Sequence, residues 1–401
     1  MQTNIHTRFS GQPAIDEADS ILRSCVHCGF CNATCPTYLE LGDERDGPRG
    51  RIYLVKQLLE QGTASEKTRL HLDRCLTCRS CETTCPSGVQ YGKLVDIGRD
   101  IVEQTVPRST GERLVRRLLR LLVPWPRRFA PLIRVGQWLR PLMPRVLRSK
   151  VPPRQTAGER PGTEHTRKLV LLGGCVQSVA TPRSNAAAAR VLDKLGITAV
   201  EPPQAGCCGA LSYHLSEHDE ARGFIRRNLD AWRSQIEAGA EAIVSCSSGC
   251  GAMLKDYGYV MRDDPEYAAL AQTVSELTRD LSEVLVNEDL GPLAVDATEK
   301  TAIHYPCTLS HALGAAPALR SVLERAGIEL ARTGEDHLCC GSAGTYSILQ
   351  PELSSRLLRR KLAALTADGP DRIVTANIGC QLHIGGQAPV PVGHWIELLD
   401  R

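Results

Sequence analysis

The sequence predicts a multi-domain chain: a mainly α-helical N-terminal domain followed by two duplicated α/β lobes. Three observations carry that expectation. Two runs, Cys25-Val26-His27-Cys28-Gly29-Phe30-Cys31-Asn32-Ala33-Thr34-Cys35-Pro36 and Cys75-Leu76-Thr77-Cys78-Arg79-Ser80-Cys81-Glu82-Thr83-Thr84-Cys85-Pro86, share one C-x2-C-x2-C-x3-C-P pattern, 50 residues apart. The insert between them reads as helix, with Ile52–Glu60 in helical period and Gly62 closing it. The back of the chain repeats itself: 132 residues separate Cys175 from Cys307 and Cys207 from Cys339, and 130 separate Cys250 from Cys380.

The paired N-terminal runs match the bacterial ferredoxin pattern. There, three closely spaced thiolates hold three irons of a cube and the fourth, before the proline, ligates the other cluster. This predicts one [4Fe–4S] centre on Cys25, Cys28, Cys31 and Cys85, and another on Cys75, Cys78, Cys81 and Cys35. A disulfide framework suits a small secreted domain, and structural zinc uses cysteine pairs spaced a dozen or more residues apart. Neither calls for this spacing twice. The other cysteines of the 17 sit mostly in clusters, which points to metal ligation in a reducing compartment. Helices are expected over residues 12–24, from Thr68 to Asp73, and from Leu94 to Val102. Arg49, Arg51 and Arg79 are placed either to raise a cluster's potential or to sit solvated on helix surfaces.

From Arg108 to Lys150 the composition changes to arginine interleaved with Leu, Val, Trp and Phe; Arg145 and Trp138 are among these residues, and Glu112 is the sole acid. Pro124, Pro126, Pro131, Pro141 and Pro144 are expected to break the stretch into short helices. Such a segment suits either an anionic membrane surface or packing on a neighbouring domain or subunit. Residues 151–166 read as a linker. The expected domains are residues 1–106 (helical, two clusters), 107–166 (basic segment and linker), 167–290 (first lobe) and 291–401 (second lobe).

Each lobe alternates strand and helix, as an α/β unit does. The first offers Leu169–Leu172, an alanine-rich helix around Asn185–Leu195, Ile197–Val200, a helix over Glu217–Glu237 and Ala242–Val244. The second repeats the order from Ile303 to Cys380. Cys175, Cys207, Cys208 and Cys250 in the first lobe, and Cys307, Cys339, Cys340 and Cys380 in the second, follow strands or fill glycine-rich turns. They are candidate ligands of a further cluster or redox groups, against buried free thiols as the alternative. Cys246 has no counterpart, since Ala376 aligns with it. His304, His337 and His383 lie close in sequence to the second set. His214, His311 and His394 complete the histidines near these cysteines, and each reads first as a structural residue. The chain offers no glycine-rich dinucleotide or phosphate loop and no nucleophile elbow, so no flavin and no catalytic residue is expected on it. Net charge of +3 and 4% aromatic residues give no nucleic-acid platform. Met1–Ser20 lacks a signal-peptide pattern, and no run reaches the roughly 18 apolar residues of a membrane span.

The twin cysteine runs together with two Cys-Cys-Gly lobes resemble the iron–sulfur subunits of bacterial glycolate oxidase (glycolate dehydrogenase). The resemblance covers the whole chain. It rests on Arg23–Cys31, Asp46-Gly47-Pro48-Arg49-Gly50-Arg51-Ile52-Tyr53-Leu54, His71–Arg79, Leu338–Tyr346 and Ile373–Gln381. More distantly the chain is similar to the C subunit of anaerobic glycerol-3-phosphate dehydrogenase and to heterodisulfide reductase proteins. The resemblance implies an electron-transfer subunit of a 2-hydroxy-acid oxidoreductase, working with two flavoprotein-type subunits that oxidise glycolate and often D-lactate. Electrons would pass on towards membrane quinone, with the chain cytoplasmic and peripheral on the inner face of the inner membrane. It also leaves open another flavin-linked dehydrogenase, or disulfide reduction at the lobes. Ser247 and Asn377 stand where heterodisulfide reductases carry the first cysteine of a C-x2-C pair, so that ligand set is incomplete here.

Overall fold

The computed structural model describes residues 1–144, 148–149, 151–295 and 298–400; Arg145 and Lys150 of the basic stretch lie outside the described residues. The chain forms two compact units. The first comprises Met1–Arg117, His214–Ser216 and His337–Lys361, and the second Leu118–Tyr213, Glu217–Asp336 and Leu362–Arg401.

The first unit is helical. Its main elements are α1 (Pro13–Ser24), α2 (Pro48–Gln61), α3 (Glu66–Asp73) and α4 (Tyr91–Thr105). Proline at the first turn starts α1 and α2, where a missing N–H costs nothing. Ser65 caps α3 through the Thr68 amide. Gly62 closes α2 in the left-handed region at φ 72°. Leu22, Leu58, Leu59, Leu72, Leu94 and Val95 are buried where these helices meet, each contributing about 2 kcal/mol by its apolar area. The cysteine runs are irregular and join the helices.

Residues 110–139 form α5 (Thr110–Leu122) and α6 (Pro126–Leu139). Pro131 lies inside α6 and does not break it, contrary to the expectation from sequence. It is the sixth of the helix's fourteen residues, past the first turn, and the helix runs on through it at the loss of the one backbone hydrogen bond that its missing N–H would have donated.

The second unit holds two parallel sheets. β1 (Arg167–Leu172), β2 (Ile197–Val200), β3 (Ala242–Ser245) and β4 (Thr278–Asp280) lie in the order β2-β1-β3-β4; β5 (Thr301–His304), β6 (Arg372–Thr375) and β7 (Val392–His394) lie in the order β5-β6-β7. The counterpart of β2 in the second half is reduced to one bridge, Thr301 with Leu330. Buried on both faces, the strands read as apolar runs. Leu169, Leu171 and Val244 share a core with Ile303 and Val374. Val170, Leu172 and Ile243 face another core built on Ile225, Leu229 and Trp232, from the helix His218–Glu237. Cys246 is buried in the first of these cores, its thiol 3.7 Å from the Ser184 carbonyl.

Candidate iron–sulfur sites

The two N-terminal runs fold alike. His27 and Thr77, before the second cysteine of each run, take positive φ (60° and 52°), as do Gly29 (86°) and Arg79 (59°) just after it. A short helix follows each, Phe30–Ala33 and Ser80–Thr83. This path turns three thiols of each run inward. It is strained at His27, Thr77 and Arg79, which hold a conformation that glycine adopts freely.

The fourth cysteine crosses over. One pocket is lined by Cys25, Cys28, Cys31 and Cys85, and a second by Cys35, Cys75, Cys78 and Cys81; Cys81 and Tyr91 line both. The electrostatics give the same grouping. Burial, then the charges of Cys25, Cys28 and Cys85, push the Cys31 thiol up to about 11. Burial, then Cys78, Cys75 and Cys35, push Cys81 well up. Cys75 goes the other way: against burial, Arg51 and Arg99 and hydrogen bonds from Tyr91 and the Thr77 amide hold its thiol below the usual range. Four thiols crowded in one pocket fit a cationic cluster core, which would relieve their mutual repulsion.

The two pockets differ in their walls. In the first pocket Cys25 is buried, Cys28 exposed and Cys31 and Cys85 half-buried; in the second Cys35, Cys75 and Cys81 are buried and Cys78 half-buried. Arg51, from the first turn of α2, is buried in the wall of the second pocket. Gly50 makes this possible: a side chain there would run into the Glu44 carbonyl, so only glycine lets α2 approach so closely. The Arg51 guanidinium donates to the His71 carbonyl (2.7 Å) and to Thr37 Oγ1 (3.1 Å), and lies 4.0 Å from Cys35 Sγ. Asp46, fully buried, faces it at 3.5 Å and also binds His71 Nδ1 (3.0 Å) and Arg74 (2.8 Å). Tyr91 Oη and the Thr77 amide donate to Cys75 Sγ at 3.5 and 3.4 Å. On the same side Tyr346 donates to the Arg74 carbonyl at 3.1 Å. The sequence marked Arg51 as a candidate. It missed Asp46, His71, Tyr91 and Tyr346, because no local spacing ties them to a cysteine.

In the second unit Cys175, Cys207, Cys208 and Cys250 come together beyond the C-terminal ends of β1 and β3. Hydrogen bonds from Cys175 and Cys208, then burial, push Cys207 well up; a hydrogen bond from Cys208, then burial, does the same for Cys250. Cys307 and Cys380 also belong to this unit, whereas Cys339 and Cys340 belong to the first. The Cys-Cys-Gly turns are alike in detail. Gly209 and Gly341 take φ of 90° and 88°, and each donates its amide to the first cysteine's sulfur, at 3.5 and 3.4 Å. Ser247 and Asn377, the positions that lack cysteine, meet each other: Ser247 Oγ donates to Asn377 Oδ1 at 2.6 Å. Asn377 Nδ2 in turn donates to Cys380 Sγ at 3.3 Å. Among the histidines, His304 is buried on β5, His383 half-buried, and His214 and His337 are exposed. His394 is structural. Its Nε2 donates to the Cys246 carbonyl (2.6 Å) while Nδ1 accepts from the Ile396 amide (3.2 Å).

Comparison with known proteins agrees with this architecture. A "4Fe-4S dicluster domain" family matches residues 21–89, and a "Cysteine-rich domain" family matches residues 169–255 and 301–385. The chain is 51% identical to the glycolate oxidase iron–sulfur subunit of Escherichia coli, across 100% of this chain and 99% of that protein. It is 31% identical to a probable glycolate oxidase iron–sulfur subunit of Bacillus subtilis, over 92% and 89% of the two chains. It is 28% identical to lactate utilization protein A of Bacillus licheniformis, over 58% of this chain and 99% of that protein. With its dicluster domain, its two cysteine-rich repeats and full-length identity of this order, the chain belongs to the family of glycolate oxidase iron–sulfur subunits.

Proposed function

We propose that this chain carries electrons from two flavoprotein-type partner subunits, which oxidise glycolate and D-lactate, towards a membrane quinone. The observation that supports this reading most is the pair of four-thiol pockets. Cys25, Cys28, Cys31 and Cys85 would hold one [4Fe–4S] cluster, and Cys35, Cys75, Cys78 and Cys81 the other. Such clusters, when bound, supply reversible one-electron transfer. The chain's own residues provide thiolates in the required geometry, donate hydrogen bonds from Tyr91 and Thr77 to Cys75, and shield the second site from water. No residue of the described chain is assigned a role in substrate oxidation, which falls to the partners. Cys175, Cys207, Cys208 and Cys250 would hold a further cluster, Cys207 and Cys208 from buried and Cys175 and Cys250 from half-buried positions; Cys307, Cys339, Cys340 and Cys380 are their counterparts in sequence.

No helix among the described residues is long and apolar enough to cross a membrane. Contact with the inner face of the inner membrane would instead be peripheral, through α5 and α6. There Leu118, Leu121, Leu132, Val135 and Trp138 are exposed among arginines. Arg120 is held by Glu217 and Glu220, both at 2.7 Å.

The test is reconstitution of the complex with its flavoprotein partners. Cys28→Ser and Cys78→Ser should each abolish reduction of a quinone acceptor while substrate still reduces the flavin. Wild-type acceptor reduction in both variants would refute the reading.

A further inference from the structure

The two pockets differ in the arginine that each holds beside its thiols, Arg51 at the second and Arg49 at the first. Four observations support this. The Arg51 guanidinium is 1% exposed, so solvent and salt screen it weakly. It lies against the Cys35 sulfur, and its remaining donors are fixed by Thr37 and the His71 carbonyl. Its carboxylate partner, Asp46, is shared with Arg74, so two guanidinium groups face one carboxylate and the cluster of charges stays positive. The corresponding arginine at the first site is different: Arg49 lines that pocket but is 34% exposed and paired with Glu44 at 2.5 Å, which cancels its charge.

We propose that Arg51 sets the reduction potential of the cluster on Cys35, Cys75, Cys78 and Cys81 above that of the cluster on Cys25, Cys28, Cys31 and Cys85, making the second site the one where electrons collect. Reduction adds a negative charge, and a fixed positive charge against a ligand sulfur favours it; hydrogen bonds to Cys75 from Tyr91 and Thr77 act in the same direction. Burial of the second site acts the other way. It is outweighed because the net charge beside the sulfur is a full one in a medium of low polarisability. The inference rests on the ligand sets proposed above. Arg51 acts through the cluster's surroundings and is a positioning residue, not a ligand.

The test is a redox titration of the iron-loaded, full-length protein followed by EPR, with iron content measured on each sample. Arg51→Gln should lower one of the two potentials by at least a tenfold change in the one-electron reduction constant, about 59 mV, and leave the other in place. Asp46→Asn removes the neighbouring negative charge and should move the same potential upward. Arg49→Gln should move either potential by less than Arg51→Gln does. If Arg51→Gln fails to take up iron, the Asp46→Asn shift decides the matter alone. Unmoved potentials in fully loaded variants, or shifts of the same sign for Arg51→Gln and Asp46→Asn, would overturn the proposal. Wild-type protein that binds no cluster at these cysteines would instead overturn the ligand sets on which it rests.

Discussion

Gly341 shows how much of a cysteine motif is set by its non-cysteine residue. Its φ of 88° is left-handed, and a Cβ there would stand 2.6 Å from the Ser354 carbonyl oxygen. Gly341→Ala should therefore destabilise the protein by about 2–4 kcal/mol, combining the left-handed penalty with overpacking, as read from urea unfolding. His394 tests a different effect. Burial lowers its imidazole from 6.5 to about 4. The unfolded chain thus binds a proton between those values that the folded chain does not, so stability rises with pH across that window. This contribution is complete above about 6.5 and lost as pH falls towards 4. Asp280, raised by burial from 3.8 to about 6, has the opposite slope, since its folded state holds the proton longer. The two largely offset each other in the native protein. His394→Gln keeps a donor for the Cys246 carbonyl and removes the titration. The stability difference between wild type and His394→Gln should grow by roughly 3 kcal/mol from pH 4 to pH 7. A difference that stays flat with pH would mean that the imidazole is not held neutral by burial.

At the scale of elements, the outer faces of α5 and α6 are the unusual feature. Leu118 is 45% and Trp138 79% exposed, far more than a helix normally leaves in water. Other parts of the stretch are packed: Arg108 and Arg116 reach Asp73 in the first unit, and Trp125 lies tilted against Phe224 beneath Arg227 in the second. The Leu118→Glu and Trp138→Glu pair should leave thermal stability nearly unchanged, since both residues are exposed, and should reduce flotation with anionic vesicles at least tenfold. Equal flotation of wild type and variant would show that this face does not bind lipid. At the ends of β3 and β6, Ser247 and Asn377 join the two halves of the duplication by a hydrogen bond. The strand–helix order of both lobes and the helices of the first unit were legible in the sequence, because period and capping residues are local signals. The path of α6 through Pro131 was not, because an interior proline costs one backbone hydrogen bond and the surrounding helix continues across it. The assignment of Cys339 and Cys340 to the first compact unit was not legible either. Repeat offsets record descent, while packing follows surfaces that the sequence does not number.

Across the whole molecule, the two cysteine runs carry the account. Their spacing alone predicted that each fourth cysteine serves the other site, and Cys85 and Cys35 line those pockets. What the spacing could not show was the buried Arg51–Asp46–His71–Arg74 cluster, whose members are far apart in sequence and meet only when α2 and α3 pack. The most direct measurement is iron content and EPR of the complex purified with its partner chains, on wild type, Cys28→Ser and Cys78→Ser. The ligand sets predict that the N-terminal sites hold about eight irons in two four-iron clusters. Each variant should lose the signal of a different cluster and retain that of the other. Loss of the same signal in both variants, or wild-type signals in either, would contradict the assignment.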